Sequence, residues 1–546
     1  MTQPRPDPVS ELRAALAEAT AALRDGAPAG VEPQTERPRR PEFGDYSSNA
    51  AMLLAPVLRS SPREVATRLG DALAQRLGGS LERTEVAGPG FLNLFMSDAW
   101  RRAALARVLE AGGQWGRGTP DAGRVIIEFV SANPTGPITV ASGRHAAYGD
   151  GLSRILSWAG HEVSREFYVN DFGSQVRRFG ESISARARGE EPPEDGYRGD
   201  YVRELAAAIP GAGEADPEEL AGLGVERMVE GVAATLERFR VPMDAFFSER
   251  SLHESGAIGA VIERLAERGH VFESEGATWL RTTTFGDDKD RVLRRSSGEY
   301  TYFASDIAYH EDKRSRGYAR AIDVLGADHH GYVARMRAAW QALGGDPDEL
   351  ELPIMQLVNL MERGQRVAMS KREGEFVTLD ELMDDIGVDA ARFFLLQRSH
   401  DTTLDLDLAL AREQGQDNPV YYVQYAHARI ASILRRAGAE RVEAALAADL
   451  AQSPETLHPS ARALLALLLE VPDEVRVCAE RRAPHRLTTH ATEVAQGFSA
   501  FYRDCKVVGA AEEGGDEDFR IALCVAAKRV LAGELALLGV GAPEEM

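Results

Sequence analysis

The sequence predicts an α/β protein. A doubly wound parallel-sheet domain carries the chemistry, with a small α+β domain before it and an all-α helical-bundle domain after it. Three observations carry that prediction. Residues 124–131 (RVIIEFVS) form a largely apolar run, as strands buried on both faces do. The run passes through a Gly/Pro turn, ANPTGP, straight into a helical pattern from about 139 to 159, the opening unit of a doubly wound sheet. From Asn418 onward the chain is amphipathic, rich in Ala, Leu and Arg, and short of strand candidates.

With 546 residues the chain has room for three or four domains. Its hydrophobic fraction of 44% and charged fraction of 27% exclude a mostly disordered chain. The net charge of −22 argues against a general polyanion binder, although a local basic face remains compatible with it. Only Lys289, Lys313, Lys371, Lys506 and Lys528 are lysines, so 58 of the 63 basic residues are Arg. Cys478, Cys505 and Cys524 are never in CxxC spacing, which gives neither a disulfide framework nor a zinc site. The polar N-terminus and the lack of a long apolar stretch predict a cytoplasmic protein.

Along residues 1–105, Leu12, Ala15, Leu16, Ala19 and Leu23 recur at helical spacing after Ser10, a candidate N-cap. FGDYSSNAAMLLAPVL reads as a second helix, and GDALAQRLGG with VAGPGFLNLFMS as helix, turn and strand. The doubly wound region spans 120–400. A second strand lies in VSREFYVND, and an acidic, Pro/Gly-rich stretch opens an insertion at about 184–280. The sheet should resume with short strands around TYFASDIAYH and AIDVLGADHH. Residues 405–546 are the helical domain.

Three constellations carry chemistry. In Ala132–Arg144, a turn between buried strand and helix gathers free N–H groups and a positive helix end, suited to phosphate. In MSKREGEFVTLDEL, Ser370, Lys371 and Arg372 form a compact cationic loop able to meet a charge-rich transition state. Lys371 stands out in a chain where Arg does nearly all the basic work. Third, Gly326, Asp328 and His329 close the apolar run IDVL, where a ligand crevice belongs.

Together these pieces resemble the two nucleotide-binding motifs, HIGH and KMSKS, of class I aminoacyl-tRNA synthetases. The flanks IIEFVSANPTGP, REFYVNDFGSQ, YTYFASDIAYH, GADHHGYVARM and QDNPVYYVQYAHARI are similar to bacterial arginyl-tRNA synthetase, over nearly the whole chain. The resemblance implies a Rossmann-type catalytic domain. It also implies ATP-dependent activation of L-arginine and transfer to tRNA(Arg), by a monomer that needs bound tRNA for the first step. ATP with Mg2+ would enter as substrate, with no protein-bound metal.

By the same resemblance, Glu128, Asn133, Tyr302 and Asp306 hold arginine. Ala132, Pro134, Thr135, Gly136, Pro137, Ile138, Val140, Ala141, Gly326, Asp328, His329 and Met369 frame ATP. Lys371 and Ser370, with Thr139 and Ser142, act in catalysis. Tyr421, Tyr425, Arg429 and Arg435 mix stacking surfaces with cations, as unpaired anticodon bases require.

The chain departs from the family pattern where NPTGP should continue into two histidines. It reads Ile138-Thr139-Val140-Ala141-Ser142, and the first KMSKS lysine is Ala368. Losing one oxyanion donor costs roughly 10²–10³ in rate. Thr139, Ser142, Arg144 and His145 are the groups near enough to compensate. The alternative is a non-catalytic paralogue that keeps arginine or tRNA affinity.

Overall fold

The computed structural model describes residues 6–24, 34–38, 40–367, 370–371, 375–453 and 455–546. In the N-terminal region the strands Thr35–Glu36, Tyr46–Ser48, Phe91–Met96 and Leu81–Ala87 make one antiparallel sheet in that spatial order. Helices Pro8–Arg24, Ala50–Leu58 and Pro62–Leu77 belong to the same unit. The first helix is capped by Asp7, whose carboxylate accepts from the N–H groups of Val9 and Ser10. Ser10, the expected cap, instead donates its hydroxyl to Asp7. A carboxylate one turn earlier satisfies two orphan donors at once and wins the position.

The centre is a five-stranded sheet in spatial order Leu350–Glu351, Arg320–Asp323, Arg124–Glu128, Glu162–Val169, Ala245–Ser248, parallel throughout. The chain starts in the middle, runs outward to one edge, then returns to fill the other side. The order therefore reverses between Arg124–Glu128 and Arg320–Asp323, which opens a crevice at their carboxyl ends. Val140–Trp158 packs on the sheet so closely that a Cβ on Gly149 would fall 2.2 Å from the Phe129 ring.

Two expectations need correction here. The segment TYFASDIAYH is not a strand: Tyr302–Ser315 is a helix, capped by the Thr301 hydroxyl accepting from Ala304 N–H. The aromatics favour strand locally, but Phe303, Ala304, Ile307 and Ala308 are all buried at helical spacing. The expected insertion at about 184–280 also contains Ala245–Ser248, which pairs with Glu162–Val169 in the main sheet. The acidic composition marked where the chain leaves the sheet, and a four-residue strand was too short to show its return.

The C-terminal region is a bundle of Pro419–Ala437, Ala439–Ala447, Pro459–Arg481, His485–Asp504 and Glu517–Leu537. Leu464, Leu468, Phe498, Phe501 and Leu531 are fully buried in its core. The helix Val140–Trp158 is tied to it directly, because the Tyr148 hydroxyl donates to the Arg482 carbonyl at 2.9 Å.

Candidate active site

Three carboxylates stand in register across the sheet near the crevice: Asp323 opposite Glu128, and Glu128 opposite Glu166. The helix Tyr302–Ser315 lays the matching partners over them. Lys313 Nζ donates to Glu128 Oε2 at 2.6 Å and to Asp323 Oδ1 at 2.7 Å. His310 Nε2 lies 2.7 Å from Asp323, and the Tyr309 hydroxyl donates to Glu166 at 2.7 Å. Arg316, just beyond the helix, closes a bidentate pair with Glu166. Burial alone would raise the Asp323 carboxyl, but Lys313 and His310 outweigh it and hold the group well below its usual range.

Lys313 is completely buried, so its loss leaves Glu128 without its cation and Asp323 with His310 alone. Lys313→Met is expected to destabilise the catalytic domain by about 3–5 kcal/mol, the cost of breaking a buried ion pair from one side. A thermal melt checks this. Adding Glu128→Gln and Asp323→Asn to Lys313→Met should recover much of the loss, since the excess charge goes with them. Scarcity of lysine marked Lys371 in the sequence, and the same criterion applies to Lys313.

Two further carboxylates lack such compensation. Asp306 sits in the second turn of Tyr302–Ser315, not at its cap, and accepts from the Tyr332 hydroxyl. Burial pushes its carboxyl up to about 6, against the lowering effect of Tyr332 and His310. Glu249 follows the end of Ala245–Ser248, is 2% exposed, and leaves Oε2 with no hydrogen-bond partner. Burial, then the neighbouring Asp306 and Asp171, drive its carboxyl up to about 8. Nothing local in SERSLHES announces Glu249, because its importance comes from a strand end meeting a distant helix.

Tyr302, at the start of the same helix, is 55% exposed, so it is no core aromatic. Its hydroxyl stands 3.4 Å from where a Cβ on Gly173 would project. Glu128 already accepts from Lys313 and from the Ser131 hydroxyl at 2.8 Å. The turn that follows it is strained: Val130 has φ 70° and Ser131 φ 38°. Left-handed backbone at a β-branched residue costs on the order of 1–3 kcal/mol and collects at functional sites. Asn133 is exposed, its Oδ1 3.4 Å from Asn170 Nδ2.

Residues 132–142 form the wall on the other side of the crevice. Pro134, Thr135, Ile138 and Val140 are buried and shape the backbone, whereas Pro137 and Ala141 are exposed and Ala132 and Gly136 half-buried. Thr139 caps Val140–Trp158, its hydroxyl accepting from Ser142 N–H at 3.4 Å, with the two hydroxyls also 3.4 Å apart. Thr139 pairs with Thr378, the cap of Leu379–Leu396. Val140 N–H donates to Val377 O, and Leu379 N–H to Ile138 O. Two helix N-termini thus meet at one spot, which favours an anion.

The short hairpin Ser370–Lys371 with Glu375–Phe376 leads into that junction. The side chains of Ser370 and Lys371, and Met369 altogether, lie outside the described residues. Arg144 does not face the crevice. Four of its five guanidinium donors go to the carbonyls of Gln356, Leu357, Ser399 and Thr402. Gly326, Asp328 and His329 form the opposite lip, Asp328 and His329 exposed.

On the helical domain, Tyr421 and Tyr425 stack with centroids 6.2 Å apart, and Arg429 lies over both Tyr425 and Tyr502. Tyr425 and Tyr502 are exposed, whereas Tyr422 is packed with its hydroxyl on Ser499. Arg435 donates to the Glu544 carbonyl.

Three family models match the chain. Residues 10–96 match the arginyl tRNA synthetase N-terminal domain, and 104–186 with 226–415 the catalytic domain of tRNA synthetases class I (R). Residues 423–546 match the DALR anticodon binding domain. A solved chain from Campylobacter jejuni described as an arginyl-tRNA synthetase is 33% identical, with a TM-score of 0.76 over 83% of this chain and 100% of that one. The Thermus thermophilus arginyl-tRNA synthetase is 26% identical, with a TM-score of 0.77 over 98% and 100%. The Plasmodium falciparum enzyme, at 15% identity and a TM-score of 0.74 over 98% and 99%, shares the fold.

Proposed function

The chain belongs to the arginyl-tRNA synthetase family, and from that premise we propose how its residues divide the reaction. It is a class I aminoacyl-tRNA ligase for arginine. In the first step the arginine carboxylate attacks the α-phosphorus of ATP, which enters with Mg2+, and pyrophosphate leaves. In the second a terminal ribose hydroxyl of tRNA(Arg) attacks the acyl carbon and AMP leaves. Both steps depend on positioning and charge stabilisation.

One observation carries the arginine assignment: a buried carboxylate oxygen without a partner, on Glu249, beside the raised Asp306 carboxyl. A site with two unneutralised carboxylates is complementary to a guanidinium, which is planar, always charged and bidentate. Tyr302 covers it from the open side. The α-carbon end of arginine must reach the α-phosphate, so it points toward Glu128, Asn133 and the 132–142 wall. The junction of Thr139 and Thr378 takes the phosphates, with Lys371 against the transition state and Ser142 beside it. Gly326, Asp328 and His329 take the nucleoside.

The stacked pair of half-buried Tyr421 and exposed Tyr425, with Arg429 and Arg435, is the surface for anticodon bases. The N-terminal domain takes the outer corner of tRNA. No helix among the described residues is long and apolar enough to cross a membrane, and we place the enzyme in the cytoplasm as a monomer.

Steady-state arginylation of a cognate tRNA transcript tests the reading. Lys371→Ala is expected to lower kcat by roughly 10²–10³, the usual loss for one preorganised charge. A wild-type rate no faster than that variant would overturn it. No observation favours the non-catalytic alternative.

A further inference from the structure

With both motif histidines absent, the nucleotide wall has few groups left that can contact ATP. The Thr139 hydroxyl oxygen accepts at the helix cap, and both terminal nitrogens of Arg144 are committed to main-chain carbonyls. His145 is the next polar side chain on Val140–Trp158, one turn beyond Ala141. It is half-buried, and its ring lies close to Gly326 on the opposite lip. A Cβ on Gly326 would come within 4.0 Å of its Cε1 and 2.6 Å of the Asp328 carboxylate.

Building on the reading of this crevice as the ATP site, we propose that His145 is an ATP-binding residue of this enzyme, accepting a hydrogen bond from the ribose of the nucleotide. The ring N–H faces the Val324 carbonyl, at the end of the Arg320–Asp323 strand. That fixes one nitrogen as donor and leaves the other as acceptor. Burial, then Arg144, lower its titration to about 4, so the ring is a neutral acceptor at physiological pH. Imidazole and the Asp328 carboxylate then present two adjacent acceptors, which suits the two neighbouring hydroxyls of a ribose.

His145→Phe, which keeps the ring volume, and His145→Gln, which can restore an acceptor, test this against wild type with ATP and with 2′-deoxy- and 3′-deoxy-ATP. His145→Phe should raise the KM for ATP by roughly 3- to 10-fold, the worth of one hydrogen bond. The KM for arginine should not move. The variant should also lose the wild-type preference for ATP over one of the deoxy-nucleotides, and His145→Gln should recover part of it. An unchanged ATP KM, an undiminished preference against both deoxy-nucleotides, or parallel losses in ATP and arginine KM would each overturn the assignment. If His145→Phe fails to fold, His145→Gln against wild type gives the same comparison. Wild-type arginylation itself tests the broader reading, so the two can fail separately.

Discussion

Asp306→Asn is expected to raise the KM for arginine by between roughly 30-fold and several thousand-fold, with the KM for ATP unchanged. The range follows from about 2–5 kcal/mol for truncating one side of a buried charge pair, at 1.4 kcal/mol per decade. Asn preserves the shape of the side chain and can still accept from the Tyr332 hydroxyl that steadies Asp306. What it removes is the charge. A guanidinium brought out of water to that point would keep Glu249 as its facing carboxylate and leave part of its own charge unanswered. The row behind it cannot substitute, because Glu128 and Asp323 are held by Lys313 and Glu166 by Arg316. Steady-state kinetics with arginine and ATP varied separately give the answer. A change below about 3-fold in the arginine KM, or an equal change in both, would mean that Asp306 only supports the helix.

The parts of this fold that were legible in the sequence are those written in one continuous segment. A strand buried on both faces must be apolar through its middle, and Val125–Ile127 are, between Arg124 and Glu128 at the ends. The helix after it announces its start through Thr139, and the structure places the cap on that same residue. The reversal of strand order could be anticipated from the turn, since the opening strand of a doubly wound sheet is central. What could not be read is whatever depends on two segments meeting. Glu249 is one charged residue among many until Ala245–Ser248 is laid beside Glu162–Val169 and its end faces the helix carrying Asp306. Arg144 looks like a free cation next to a phosphate turn, and only the fold shows four carbonyls from two distant loops closing around it. The helix at Tyr302–Ser315 was obscured by its own function. Its aromatic and β-favouring residues serve the site and the sheet, and they mask a 3.6-residue repeat that packing enforces.

Arginine binding should release protons, and its affinity should fall steeply as the solution is acidified. Glu249 in the empty site is raised to about 8 and Asp306 to about 6, burial being the first cause for both. At pH 7 the empty pocket therefore holds Asp306 mostly ionised and Glu249 mostly protonated. A guanidinium favours the charged form of each and lowers both. Between pH 6 and 8 the Glu249 proton must leave on binding, so affinity should rise by up to roughly tenfold per pH unit. Below about 6 the Asp306 proton must leave as well, and the slope should approach two decades per unit. Above 8 it should level off. The linkage has a second consequence with the same sign. A carboxyl whose folded pKa lies above its unfolded value withdraws stability as pH rises toward that folded value. The empty enzyme should thus lose stability from pH 6 to 8, and the gain in melting temperature on adding arginine should grow over the same interval. Calorimetric titration at pH 7 in buffers of different ionisation enthalpy counts the protons directly, with close to one expected. Glu249→Gln should reduce that count toward zero and flatten the dependence above pH 6, while leaving the fall below 6 that belongs to Asp306. A wild-type count near zero would show that the two carboxyls already share their charge with another group, and that the pocket does not wait for its cation.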